Sequence, residues 1–73
     1  MNNTRKTRGT IKFFDVHKGY GFASIKGETS NVDVFIHGSE IKGEYYPVKG
    51  DRVSMNVKYN KKGFSGKKVT IEA

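Results

Sequence analysis

Aromatic side chains are the residues whose spacing best indicates a chemistry, because two short runs, 18–25 and 32–37, place rings together on one face of a strand. In the run 32–37, branched aliphatics occupy every second position and claim the buried face. The other face of these runs carries Tyr20, Phe22, Asp33, Phe35 and His37. Either Phe13 or Phe14 joins them if the first three strands are adjacent. Rings exposed among lysines stack on unpaired bases, and the lysines meet phosphates. The pattern predicts a stacking surface for single-stranded nucleic acid.

A structural interpretation of the same rings is packing beneath the connection 38–50 as a second small core. Gly19 and Gly21 argue against it, because they clear space beside the rings. His37 is open to two interpretations, a stacking group or a histidine that caps the following loop. His17 is interpreted as a turn residue.

The charge of the chain is unevenly placed. The net charge is +7, with four basic and no acidic residues in 1–14 and five lysines and no acid in 58–68, so the remainder sums to −2. Lysines in tails and loops also aid solubility. The clustering nevertheless favours a surface that faces a polyanion.

Length and composition limit the class of protein. A chain of 73 residues forms one small domain with a marginal core, and without cysteine it has no disulfide or thiolate metal site. No apolar run is long enough to span a membrane and no secretory signal follows Met1, so we expect a cytoplasmic protein. We expect a monomer, because no apolar seam is evident, with no cofactor and no small-molecule substrate.

Catalysis is poorly supported by the residues. The chain has two histidines, and no nucleophile has a plausible base beside it. Asp33 and His37 share a strand face but lie ~13 Å apart, too far for an orienting hydrogen bond. No carboxylate pair has catalytic spacing and a metal site would lack ligands. We therefore expect a protein that is not an enzyme.

Hydrophobic alternation predicts an all-β domain. We assign residues 1–7 to a flexible basic tail and 8–73 to a single domain, with one helical turn at 39–41 inside a long loop, 38–50. The predicted strands are 8–15, 19–25, 32–37, 51–59 and a short last strand, 68–72. Five short strands should close into a barrel, because open edges invite aggregation.

The predicted core is entirely aliphatic, which would leave every ring available for binding. Its members are Ile11, Ala23, Ile25, Val32, Val34, Ile36, Ile41, Val48, Val53, Met55, Val57, Val69 and Ile71.

Two motifs, Lys18–Phe22 and Asp33–His37, resemble the paired RNA-binding motifs of the cold-shock domain family. The opening strand Gly9–Asp15 is also similar, and the resemblance runs from about Arg8 to Glu72. RRM domains share the lysine-glycine-aromatic motif, but there the second motif comes first and two helices are needed. The resemblance implies an OB-fold barrel of five antiparallel strands that binds single-stranded RNA and DNA, acting as an RNA chaperone and a regulator of transcription and translation.

The resemblance also implies individual binding residues. Those at family stacking positions are Phe13, Tyr20, Phe22, Phe35 and His37. Lys12 and Lys18 match family contacts on the same face, and Phe14 matches a neighbouring aromatic. Tyr46, or Tyr45 in a shifted register, matches an aromatic of the long loop.

Four positions depart from the family pattern. Phe13 stands in place of a usual tryptophan, Asp15 in place of an asparagine, and Gly38 in place of a further aromatic. Phe64 falls where proline is common. We hypothesise that Phe64, with Lys61 and Lys62, restores part of the nucleic-acid contact that these departures remove.

Two other functions compete with this prediction. A small basic barrel could serve as a structural protein of a ribosome-like RNA assembly, with its rings buried there. A duplex-DNA accessory barrel is the third possibility, but rings stack on paired bases only after wedging or flipping them.

Overall fold

The computed structural model describes residues 6–72, and the chain there forms five strands and one 3-10 turn, Gly38–Glu40. The strands are β1 Thr7–Asp15, β2 Tyr20–Lys26, β3 Asn31–His37, β4 Arg52–Asn60 and β5 Gly63–Ile71. The predicted order of elements is confirmed. Residues 1–5 of the predicted tail lie outside the described residues. Within residues 6–72, no helix has the length and apolarity needed to cross a membrane.

The strands close into a barrel in the order β1-β2-β3-β5-β4, and β4 pairs back onto β1. This closure confirms the predicted OB-fold barrel. The prediction of a wholly antiparallel sheet needs one correction, because β3 and β5 are parallel at Val34↔Phe64 and Phe35↔Ser65. Since β5 is antiparallel to β4 along the other edge, it runs in the direction of β3 when the barrel closes.

The barrel interior is the aliphatic core that the alternation predicted. Seven predicted members are almost fully buried: Ile11, Ala23, Val34, Ile36, Val53, Met55 and Val69. Four more pack against them while half-buried, namely Ile25, Ile41, Val57 and Ile71. Val32 is half-buried at the start of β3. The prediction for Val48 was wrong, because its side chain is 62% exposed and the neighbouring Pro47 is buried instead.

The prediction that no ring serves the core was also wrong, because Phe14 and Phe64 pack against it while half-buried. A β-bulge at Lys12 explains why the Phe14 side chain points toward the core. Ile11 pairs with Ala23 but Phe13 pairs with Phe22, so β1 has one extra residue there. The extra residue rotates Phe13 outward and Phe14 inward.

Gly21 allows β1 and β2 to approach closely at this bulge. A Cβ at position 21 would lie 2.2 Å from the carbonyl oxygen of Phe13 and 2.7 Å from the Cα of Phe14. The space that Gly21 leaves is therefore occupied by β1 itself, rather than being open beside the outward rings.

The last strand is longer than predicted, starting at Gly63 rather than at residue 68. Residues 63–67 lack alternating aliphatics, so they carry no local strand signal. Pairing with β4 makes them a strand, through partners such as Tyr59↔Phe64 and Lys58↔Ser65.

Because Val48 is exposed, a Val48→Ala variant is expected to change the free energy of unfolding by less than about 0.5 kcal/mol. The matched control is Ile36→Val in the barrel interior, which should cost about 0.5–1.5 kcal/mol. Denaturant unfolding followed by circular dichroism measures both. A loss of unfolding free energy at Val48 equal to that at Ile36 would mean that Val48 belongs to the core.

Candidate nucleic-acid interface

Three phenylalanines form a row across the outer face of β1, β2 and β3. The register pairs Phe13 with Phe22 and Phe22 with Phe35. The ring centroids are 5.8 Å apart in the first pair and 5.6 Å apart in the second. Ala23, Val34 and Ile36 occupy the opposite, buried face, which leaves these rings on the surface of the barrel. Alternation in two strands and the bulge in the third therefore produce one continuous aromatic row.

Tyr20 and His37 extend this row toward the end of the sheet. They are cross-strand partners, and the Tyr20 ring lies 5.6 Å from that of Phe35. Tyr20, Phe22 and Phe35 are half-buried, whereas Phe13 is 45% exposed. We call Phe13, Tyr20, Phe22 and Phe35 the aromatic platform. It brings together four predicted stacking residues and places the fifth, His37, beside them.

His37 caps the short 3-10 turn while remaining on the surface. Its Nδ1 accepts a hydrogen bond from the backbone N–H of Ser39 at 3.1 Å and lies 2.9 Å from Ser39 Oγ. An accepting Nδ1 leaves the proton of a neutral imidazole on Nε2. The capping interpretation of His37 is therefore confirmed, and the ring remains exposed beside Tyr20.

Phe14 and Tyr46 form a separate ring pair outside the platform. Their rings are stacked, with centroids 4.9 Å apart and planes at 28°. A Cβ at Gly38 would lie 3.4 Å from the Tyr46 hydroxyl. The Tyr46 side chain therefore lies next to Gly38, the position at which the family pattern has a further aromatic residue. Tyr45 is 78% exposed on the same loop.

Asp15 organises the turn between β1 and β2. Its Oδ1 accepts hydrogen bonds from the backbone N–H groups of His17 and Lys18, at 2.9 and 3.1 Å. The Lys18 bond above all, with that of His17, lowers the pKa of Asp15 below its ordinary value of 3.8, against a smaller opposing effect of desolvation. This stabilisation of the turn is present above pH ~3.8 and is lost as the pH falls through the lowered pKa.

Two predicted lysines differ in their surroundings. Lys12 Nζ lies 3.1 and 3.2 Å from the two carboxylate oxygens of Asp33, across the face of the sheet. Both side chains are about half exposed, and such pairs contribute ~0–1 kcal/mol, so a phosphate can compete with Asp33 for Lys12. Lys18 is exposed in the turn beside the platform.

A groove of about 630 Å³ lies between the platform and the β4–β5 hairpin. Phe22, Phe35 and His37 line one side, and Lys62 and Phe64 line the other. The structure thus brings the two hairpin residues of the predicted site next to the rings. Lys61 is exposed in the hairpin turn.

Sequence reasoning missed two residues of this surface and one ion pair. Ser65 pairs with Phe35 and Lys58 pairs with Ser65, so the phenylalanine row continues across β5 and β4. Asp33, which the alternation placed on this face, forms an exposed ion pair with Lys12. The signal for the first two was the register of β5, which no local pattern reveals.

Metal binding has no support in the described part of the chain. Within residues 6–72, no three histidine, cysteine, aspartate or glutamate side chains come together as a possible ligand set. The surface consists instead of aromatic rings with lysines around them.

Comparison with known proteins identifies the family of the chain. The family model of the 'Cold-shock' DNA-binding domain matches residues 7–72. A cold shock-like protein of Aquifex aeolicus is 41% identical over 66 residues, covering 88% of this chain and 91% of that protein. The major cold shock protein of Micrococcus luteus is 39% identical over 64 residues, covering 85% and 92%. Cold shock domain-containing protein C2 of Mus musculus is 42% identical over 50 residues, 68% of this chain and 31% of that protein. The chain belongs to the cold-shock domain family.

Proposed function

We propose that this protein binds single-stranded RNA and DNA through the aromatic platform. The observation that carries the proposal is the unbroken row of Phe13, Phe22 and Phe35, in which successive rings are less than 6 Å apart on the surface. Each ring offers a face to one base, and stacking contributes ~1–3 kcal/mol per base without regard to its identity. Family membership supports the same proposal, since the family is described as a DNA-binding domain.

The remaining predicted residues have defined parts in this proposal. His37 adds a polar ring at the end of the platform, and Lys12, Lys18 and Lys62 meet the phosphates around it. Phe64 forms the far wall of the groove. Phe14 and Tyr46 stack on each other next to the platform, where they add a second pair of rings, and Asp15 holds the turn that carries Lys18.

An RNA-chaperone activity follows from this mode of binding. A protein that stacks on unpaired bases binds the open form of a weak hairpin and not the closed form. Binding then shifts the melting equilibrium toward open RNA by mass action. Such a protein would influence transcription and translation without consuming ATP.

A structural role in a ribosome-like assembly has no supporting observation. The relatives named above are cold-shock proteins, and the rings form a surface that is accessible in the isolated chain.

The first test compares labelled single-stranded heptanucleotides, both RNA and DNA, with the matching duplex by fluorescence anisotropy. Single strands are expected to bind at least about tenfold more tightly, because paired bases cannot stack on the rings. Equal binding of single strand and duplex would mean that charge alone holds the nucleic acid, which would contradict the proposal.

A further inference from the structure

The outer face of the barrel does not end at the platform. Ser65 stands beside Phe35 and Lys58 beside Ser65, so a single cross-strand row reads Phe13, Phe22, Phe35, Ser65, Lys58 over all five strands. Two strand spacings, roughly 10 Å, separate Phe35 from Lys58. A nucleic-acid strand that follows the rings therefore arrives at β4.

Tyr59 follows Lys58 near the end of β4 and pairs with Phe64, so its side chain projects from the opposite face of the strand to Lys58. Its side chain is 73% exposed, although its ring centroid lies 4.9 Å from that of Phe64. Phe64 is half-buried against the core, so it supports the Tyr59 ring from one side and leaves the other side in solvent. An exposed ring that packs against a neighbouring ring offers its free face to a base.

The surface between Phe35 and Tyr59 is continuous and basic. A second depression, of about 490 Å³, is lined by Lys58, Tyr59, Asn60, Ser65 and Lys67. Asn60, Ser65 and Lys67 also line the groove beside the platform. Lys67 is partly neutralised by Glu40 at 3.7 Å, whereas Lys58 has no carboxylate within 4.0 Å among residues 6–72.

We propose that Tyr59 is an additional stacking residue, and Lys58 an additional phosphate contact, for the continuation of the strand held by the platform. The proposal rests on the proposed function, since the strand must first occupy the platform. The occupant is one further segment of the same single strand. This is argued from Phe64, which lines the groove beside Phe35 and packs against Tyr59, and from the five lysines in 58–68.

Affinity measured against oligonucleotide length tests this proposal. For a homopolymer series from about four to about ten nucleotides, the affinity of the parent should keep rising to the longest members. Tyr59→Ala should bind the shortest members like the parent and lose about fivefold or more at the longest. Tyr59→Phe, which keeps the ring, should retain the affinity of the parent. Lys58→Gln should reduce the salt slope by about 0.7 for the longest members only.

Three outcomes would overturn the proposal. These are an unchanged affinity of Tyr59→Ala at all lengths, an equal loss at all lengths, and a loss in Tyr59→Phe as large as in Tyr59→Ala. Phe35→Ala in the same series separates this failure from failure of the proposed function. If Phe35→Ala weakens binding at every oligonucleotide length and Tyr59→Ala at none, the proposed function is supported and the role of Tyr59 is contradicted. If neither variant weakens binding, both proposals are contradicted. Thermal unfolding of each variant verifies that the barrel is intact.

Discussion

Replacement of Phe35 by alanine is expected to weaken binding of single-stranded RNA and DNA about 5- to 150-fold, which corresponds to ~1–3 kcal/mol for one stacked base. Phe35 is one of the two inner rings of the platform, because its ring packs against both Phe22 and Tyr20. Its removal takes away one stacking face and also the support of two neighbours. Anisotropy titration of a labelled heptanucleotide measures the change.

Two variants serve as controls for this result. Phe35→Leu keeps an apolar side chain against Phe22 but removes the π face, so it should lose most of the same affinity. Val48→Ala removes an exposed apolar group from the loop and should bind like the parent. Should Phe35→Leu bind as tightly as the parent, apolar contact rather than stacking would explain the affinity. Circular dichroism must show that each variant is folded.

A steep loss of affinity with salt is the second large effect we expect. Each neutralised phosphate of a single strand contributes about −0.7 to the slope of log K against log salt, so about four phosphates give ~50-fold weaker binding at 200 mM than at 50 mM. The net charge of +7 and the exposed Lys18 and Lys62 support this expectation. Titrations at four or more salt concentrations give the slope.

Lysine variants separate this charge effect from stacking. Lys18→Gln should reduce the slope by about 0.7, whereas Phe35→Ala should lower the affinity at every salt concentration and leave the slope unchanged. A flat salt response of the parent would contradict the role of the lysines, and a slope altered by Phe35→Ala would mean that the two contributions are not independent.

Much of the fold was readable in the sequence because alternation is a local property of a strand. The pleat sends successive side chains to opposite faces, so Val34 and Ile36 had to be buried on the face opposite Phe35. The structure confirms this for β3 and β2. The same reasoning located Tyr20 and Phe22 on one outer face before any partner strand was known.

The position of the rings in β1 was beyond local reasoning. The sequence left open whether Phe13 or Phe14 joins the platform, since strict alternation from the buried Ile11 would turn Phe13 inward. The bulge at Lys12 reverses the two faces, and it is defined by the pairing of β1 with β2 rather than by the sequence of β1 alone. Gly21 is the residue that permits this close match.

The part of the candidate site on the β4–β5 hairpin could also not be predicted from local sequence patterns. Residues 63–67 contain no alternating aliphatics, so nothing local marks them as a strand that carries Ser65 to Phe35. The prediction for Val48 failed in the opposite way, because this branched aliphatic residue is exposed rather than buried. Burial outside regular alternation depends on which segments meet in space.

The amino-acid sequence was sufficient for the number of strands, the inward aliphatics and the rings of β2 and β3, because these follow from periodicity within single segments. Closure of the barrel was predicted on a different ground, since five short strands with open edges invite aggregation. Folding in three dimensions was needed for the parallel β3–β5 junction, the bulge that exposes Phe13, and the row that joins Phe35 to Ser65 and Lys58. These features depend on register between strands distant in the chain, and register is set by the packing of the whole barrel.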